Sequence, residues 1–160
     1  MGRSHRYFLS LGSNIDPEAN LAHAIEQLRA HGEIEAVSGV WESRAVGASG
    51  PNFLNLCLSI IAPLETDEFK IKVARDIETR MGRVRDGDRS APRAIDIDIL
   101  MADGTPLNIE RWSHPFVIMP LAELLPDFVH PTRHRPLSAL VKETRAETWI
   151  VPRAKRPPAT

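Results

Sequence analysis

The apolar periodicities follow the order strand, helix, strand, strand, helix, strand, which predicts an α+β fold of the ferredoxin-like sandwich type. In that arrangement one antiparallel sheet carries both helices on one face and leaves its other face free. Three observations carry the prediction. Two segments alternate with the strand period of two, two others repeat at helical spacing, and glycine, proline or short polar residues punctuate the joins.

Tyr7 to Leu11 is an apolar run that ends at Gly12-Ser13-Asn14, a strand closing in a turn. From Pro17, the residues Leu21, Ile25 and Leu28 fall at helical spacing, and Gly32 stands where a left-handed C-cap would stop the helix. Glu35 to Ser43 reads as one extended strand, and residues 46–51 break all periodicity, as a mobile loop would. Phe53 to Ala62 is a long strand with Leu54, Leu56, Leu58 and Ile60 on its core face and Phe53, Asn55, Cys57 and Ser59 on the other. Thr66 is a possible N-cap for a helix in which Phe69, Val73 and Ile77 line one side until Gly82. A charged loop leads to a strand from Ala94 to Met101, Asp103-Gly104 marks a hairpin turn, and a short helix is expected near Leu121 to Leu125.

Composition sets outer limits. A chain of 160 residues is read as one domain, residues 1–160, with about 153–160 frayed because that tail has nothing to bury. The lone Cys57 cannot form an internal disulfide, and the start of the chain lacks an apolar stretch long enough for a signal peptide or membrane span, so a cytoplasmic location is expected. A formal net charge of -1 does not indicate a general nucleic-acid binder, and nothing indicates a membrane partner. Protein partners and oligomeric state are not legible. The distribution of charge is more telling: Lys70, Lys72, Arg75, Arg80, Arg83, Arg85, Arg89 and Arg93 crowd one stretch that could gather a highly charged anion.

In Ala94-Ile95-Asp96-Ile97-Asp98-Ile99-Leu100 the strand period sends the isoleucines to one face and both aspartates to the other. Two like charges side by side are costly unless a cation lies between them, and hard oxygen ligands suit magnesium, which completes its shell with water and substrate phosphates. On this pattern alone, a merely solvated strand face reads equally well. Arg83 and Arg85 share a face if extended and Arg93 precedes the aspartates, and arginine offers phosphate oxygens planar, multidentate hydrogen bonding. A surface salt-bridge network with Glu78, Asp86 and Asp88 is the bland alternative; together with the aspartate pair the arginines favour a phosphate site. No Walker-type phosphate loop is present. Phe53 and Asn55 give a flat apolar surface beside an amide, which suits a planar heterocycle.

Taken together, Leu11-Gly12-Ser13-Asn14, Phe53-Leu54-Asn55, Gly82-Arg83-Val84-Arg85 and Pro92-Arg93-Ala94-Ile95-Asp96-Ile97-Asp98-Ile99-Leu100 resemble the 6-hydroxymethyl-7,8-dihydropterin pyrophosphokinase family of folate synthesis, from about Tyr7 to Pro126. The resemblance implies diphosphate transfer from ATP to the hydroxymethyl group of a reduced pterin, with AMP released. It implies that Asp96 and Asp98 bind two magnesium ions and that Arg83 and Arg93 act on the triphosphate. Arg85, Arg89, Ile99, Arg111, Ser113 and His114 would touch ATP. Ser43, Val46, Phe53, Asn55 and Phe116 would hold the pterin, its ring between the two phenylalanines. Ser90 stands where the family commonly has tryptophan, and the segment from Arg111 to Phe116 is shorter than the family pattern. These departures admit a diverged paralogue acting on a related pterin. Two rivals from other classes are a non-catalytic ferredoxin-like module, for instance for single-stranded RNA, and a metal-dependent phosphohydrolase with water as acceptor. The small aromatic content and the two carboxylates argue against the RNA module.

Overall fold

The computed structural model describes residues 3–45, 50–82 and 94–153. Its elements are β1 (His5–Ser13), α1 (Pro17–Arg29), β2 (Glu33–Val37), β3 (Trp41–Ser43), β4 (Phe53–Ala62), α2 (Thr66–Phe69), a π-helical segment (Lys70–Arg75), α3 (Asp76–Arg80), β5 (Asp96–Ala102), β6 (Thr105–Pro106), a 3-10 helix (Ile109–Ser113), α4 (Pro115–Leu124), α5 (Leu137–Glu147) and β7 (Ile150–Pro152). The strands form one antiparallel sheet in the order β6-β5-β1-β4-β3-β7, with β2 also paired to β4. This is the predicted α+β class.

The alternation read from the sequence builds the main core. Tyr7, Leu9 and Leu11 of β1, Leu54 to Ile60 at every second position of β4, and Ile97 and Ile99 of β5 face Leu21, Ile25 and Leu28 of α1 and the buried Phe69, Val73 and Ile77. Each such side chain contributes on the order of 1.5–3 kcal/mol by leaving water. The Asp103-Gly104 hairpin forms as predicted, with φ of 48° and 84° at the two residues, and Asp103 accepts hydrogen bonds from His5 Nδ1 (2.6 Å) and the Arg6 N–H (2.9 Å).

Several local expectations are corrected. α1 ends on Ala30 in right-handed geometry, so Gly32 is no C-cap. A Cβ there would lie 2.4 Å from the carbonyl oxygen of Ile61, so glycine is needed to let the α1–β2 connection press against β4. The strand predicted from Glu35 to Ser43 divides into β2 and β3. The Ser38 hydroxyl accepts the Cys57 N–H at 2.9 Å, and the Ser38 N–H donates to the Cys57 carbonyl at 2.8 Å, so a side chain interrupts the ladder. Glu65, not Thr66, takes the N-cap position of α2, in extended geometry and without a side-chain cap. The helix that follows passes through a π-helical middle, around which Val73, Ala74, Ile77 and Glu78 are all buried.

The largest difference lies on the sheet face expected to be free. A second core of Cys57, Leu100, Trp112, Val117, Ile118, Leu121, Leu137 and Leu140 covers part of it with α4 and α5. α4 starts at Pro115, well before the predicted Leu121, and accommodates Pro120 in its interior. Pro115 occupies the first turn, where a missing N–H costs nothing. Trp112 is fully buried; its Nε1–H reaches the carbonyls of Leu107 (3.1 Å) and Leu100 (3.2 Å). His130 is equally buried: Nδ1 accepts the N–H groups of Thr132 and Arg133 (both 3.2 Å), which leaves Nε2–H to donate to the Trp112 carbonyl at 2.7 Å. Arg153, at the start of the expected frayed tail, donates its N–H to the Val40 carbonyl at 2.8 Å; residues 154–160 lie outside the described residues. Among the described residues no helix is long and apolar enough to cross a membrane.

Candidate active site

Strand register brings the two predicted clusters together. On β5, Asp96 and Asp98 are partly exposed on one face, while Ile97 and Ile99 are buried on the other. Asp98 pairs across β1 with Ser10 and Asp96 with Gly12; Gly12 in turn pairs with Asn55 of β4, and Asn55 with Trp41 of β3. A row therefore runs from the carboxylate through a glycine to the amide. Because Gly12 has no side chain, the floor between them is open: a Cβ there would sit 3.1 Å from Asn55 Oδ1 and 3.8 Å from Phe53 Cδ1. Above this floor is a cavity of about 260 Å³, lined by Asp96, Asp98, Phe53, Asn55, Phe116 and Ser43 together with Ser10, Gly12, Arg44, Arg111 and His114.

The amide is fixed by its surroundings. Asn55 is 3% exposed, and its Nδ2 donates to Ser43 Oγ at 2.9 Å and to the Trp41 carbonyl at 3.2 Å. Both donors are committed, and Oδ1, beside Gly12, is the atom turned to the cavity floor. Phe116 comes from the first turn of α4 and stacks on His114, ring centroids 4.7 Å apart and planes 15° from parallel. Burial, with Arg111 assisting, holds the His114 imidazole below the usual histidine range, against the opposing pull of Asp98 and Glu110. Arg111 Nε lies 3.7 Å from Asp98 Oδ2, so a cation already stands beside the carboxylate pair.

A second recess of about 210 Å³ opens on the helix side of the same aspartates, lined in part by Lys70, Arg75, Asn108, Arg111 and Ile99. The carboxylates thus stand between two spaces, one flanked by aromatic rings and one by basic side chains. The strand that carries them is held at its outer edge by side chains. The Ile97 N–H donates to Glu78 Oε2 at 2.9 Å, and Asn108 Nδ2 donates to the Ile99 carbonyl at 2.8 Å. Glu78 is 3% exposed, so it takes part in this support from a buried position.

The donor set matches the chemistry of magnesium. Two carboxylates on alternate positions of a rigid strand supply hard oxygens, and among the described residues no group of three or more His, Cys, Asp or Glu side chains forms a closed cage. Magnesium prefers such partial protein coordination, leaving positions for water and phosphate.

Of the predicted site residues, Asp96, Asp98, Ser43, Phe53, Asn55, Phe116, Arg111 and His114 meet at the first cavity, and Ile99 lines the second with a buried side chain. Ser113 lines neither recess; its hydroxyl donates to the Glu110 carbonyl at 2.9 Å and the residue is exposed. Val46, Arg83, Arg85, Arg89 and Arg93 lie outside the described residues. Ser10, Arg44 and Asn108 are site residues that the sequence does not single out, and Glu78 and Gly12 appear there only as a salt-bridge candidate and as part of a turn motif. A polar Ser10 inside an apolar strand was the one available signal; the others depend on register.

Comparison with known proteins gives a consistent answer. Residues 8–126 match the family model described as 7,8-dihydro-6-hydroxymethylpterin-pyrophosphokinase (HPPK). The chain is similar to the 2-amino-4-hydroxy-6-hydroxymethyldihydropteridine pyrophosphokinase of Aquifex aeolicus, 34% identical over 91% of this chain and 93% of that protein. It is also similar to the protein of that name from Methylorubrum extorquens, 39% identical over 78% of this chain and 85% of that one. Among solved structures, the HPPK-DHPS chain of Plasmodium falciparum, crystallised with SDX-DHP, has a TM-score of 0.68 at 11% identity, covering 92% of this chain and 45% of that chain. This chain therefore spans under half of that longer protein, and the likeness shows the fold.

Proposed function

The chain belongs to the 7,8-dihydro-6-hydroxymethylpterin-pyrophosphokinase family, and from that premise we propose how its residues divide the work. Its reaction is transfer of the diphosphoryl group of ATP to hydroxymethyldihydropterin, a step of folate biosynthesis. One observation carries the assignment of the site: the register across β5, β1 and β4 puts the carboxylate pair, Phe53 and Asn55 on one cavity, which Phe116 of α4 also lines.

In this reading the pterin ring lies against Phe53 and Phe116, and Asn55 Oδ1 accepts a hydrogen bond from one of its N–H groups. Ser43 holds the amide in that orientation. The hydroxymethyl group then points along the row toward Asp96 and Asp98, where the triphosphate enters from the basic recess. The hydroxyl oxygen bonds to the β-phosphorus, the bond between that phosphorus and the α,β-bridging oxygen breaks, AMP leaves with that oxygen, and the hydroxyl proton passes to solvent. Asp96 and Asp98 would hold two magnesium ions, which supply charge neutralisation and polarise the phosphoryl oxygens. Arg111 borders the nucleotide side, and His114, stacked on Phe116, is assigned to ATP on the resemblance. Arg83, Arg85, Arg89 and Arg93 are assigned to the triphosphate on residue type and on their proximity in sequence to Asp96, with Arg83 and Arg93 acting in the transfer. Val46 is assigned to the pterin, and Ser113 and Ile99 to ATP, on the resemblance. In this reading catalysis rests mainly on positioning and charge neutralisation.

The test is incubation with ATP, magnesium and 6-hydroxymethyl-7,8-dihydropterin, with separation of AMP and pterin diphosphate. Release of inorganic diphosphate without a pterin product would assign the site to a hydrolase. Asp96→Ala and Asp98→Ala should each abolish turnover while the fold survives; full activity in either removes that residue from the mechanism.

A further inference from the structure

The family match ends at residue 126, yet the pterin side of the cavity is held by chain well beyond it. β3 has three residues, and a strand that short is marginal with a neighbour on one side only. β7 supplies the second neighbour, setting Trp41 opposite Pro152 and Ser43 opposite Ile150. The residues at either end of β7 then reach across. Trp149 lies under the guanidinium of Arg44, 5.0 Å from carbon to ring centroid, inside the range of a cation–π contact. Arg153 bonds Glu42 Oε1, and the other oxygen of that carboxylate accepts Asn52 Nδ2 at 2.9 Å. Ser43 and Arg44 line the cavity, and Glu42 and Asn52 directly precede Ser43 and Phe53 in the chain.

We propose that Trp149 to Arg153 form a positioning element for the acceptor half of the site, in which Trp149 holds Arg44 as a further contact to the pterin. The inference rests on the assignment of this cavity to the pterin. Arg44 is an exposed residue on the cavity wall, and an exposed arginine otherwise samples many rotamers. Stacked on an indole face, its guanidinium keeps a planar set of N–H donors at its rim, which suits the oxo and ring-nitrogen acceptors of a pterin edge. Arg44 and Arg111, both on the cavity wall, then serve different substrates. Arg111 stands by Asp98 on the nucleotide side, and Arg44 stands with Ser43 and Phe53.

Steady-state kinetics of the full chain test this with Arg44→Ala, Trp149→Ala, Trp149→Phe, Arg153→Ala and the Arg44→Ala/Trp149→Ala pair. Arg44→Ala, Trp149→Ala and Arg153→Ala should each raise the KM for hydroxymethyldihydropterin by about 2- to 5-fold, leaving the KM for ATP unchanged. Trp149→Phe should recover most of the loss, and the double variant should be no worse than Arg44→Ala alone. A merely structural role would instead lower Tm and active fraction without moving KM. The inference is overturned by an unchanged pterin KM, by equal rises for both substrates, or by multiplicative effects in the double variant. Should Trp149→Ala fail to fold, Arg44→Ala and Arg153→Ala decide the matter alone. Wild-type protein that makes no pterin diphosphate would sink the functional reading itself, whereas active wild type with indifferent variants sinks only this inference.

Discussion

Gly12→Ala separates substrate recognition from folding at one position. The backbone there is in a strand and is not one of the positive-φ glycines, so alanine meets no conformational penalty. In a strand interior, alanine in place of glycine even favours the folded state by roughly 0.5–1 kcal/mol. What the methyl group meets is the site: Asn55 Oδ1 at 3.1 Å and Phe53 Cδ1 at 3.8 Å. The first contact is closer than carbon and oxygen ordinarily approach, so the amide must yield by a few tenths of an ångström. Its Nδ2 bonds to Ser43 and Trp41 resist that shift. The methyl also stands where the ring plane would rest. Losing one hydrogen bond's net worth, about 0.5–1.5 kcal/mol, corresponds to about a 2- to 13-fold rise in the KM for the pterin. Kinetics varying the pterin at saturating ATP, alongside thermal unfolding, make the assay. Unchanged pterin KM in a folded variant, or a fall in Tm that accounts for the activity lost, would refute the account of the cavity floor.

Other perturbations probe separate parts of the molecule. Gly32→Ala places a Cβ 2.4 Å from the Ile61 carbonyl oxygen, and should cost about 1–3 kcal/mol of stability in denaturant titrations while leaving the KM values of the folded fraction unchanged. Glu78→Leu removes the acceptor for the Ile97 N–H inside the protein. It should lower stability by about 1–3 kcal/mol and weaken magnesium-dependent turnover, and a Tm equal to wild type would contradict the support given to β5. Asp103 is held below the usual carboxylate range by His5 and by the Arg6 N–H. Its folded pKa lies under its unfolded one, so its stabilisation is present above the unfolded value and lost as pH falls through the folded value. Asp103→Asn keeps a residue tolerant of positive φ, and its stability should vary less with pH than wild type across that acid window.

What could be read beforehand follows the reach of each signal. Period-two alternation in β4 and β5 is local, so the faces of Phe53, Asn55, Asp96 and Asp98 were legible from residue spacing. Which face of one strand lies next to which face of another is a matter of register, and that decided the roles of Gly12 and Ser10. Gly32 looked like a helix terminator because glycine serves both backbone freedom and close approach, and only the distance to Ile61 tells them apart. Pro120 hid most of α4, although Val117, Ile118 and Leu121 are apolar enough to cover a sheet face. In α5 the spacing of Leu137, Leu140 and Thr144 is helical and was present in the sequence, but the charged residues between them mask it. Glu78 is the clearest case of context overriding composition, an acid among basic residues that is buried to bind a backbone N–H.

The strands at the two ends of the β6-to-β7 path bear on how the protein behaves at high concentration. β6 and β7 are two and three residues long, and each finishes on a proline, Pro106 and Pro152. Proline has no N–H to offer an incoming strand, and so short a rim gives a stranger little to align with. Edge-to-edge growth of the sheet is thereby discouraged along β6 and β7, while the interior strands, rich in isoleucine and leucine, would be prone to such pairing once exposed.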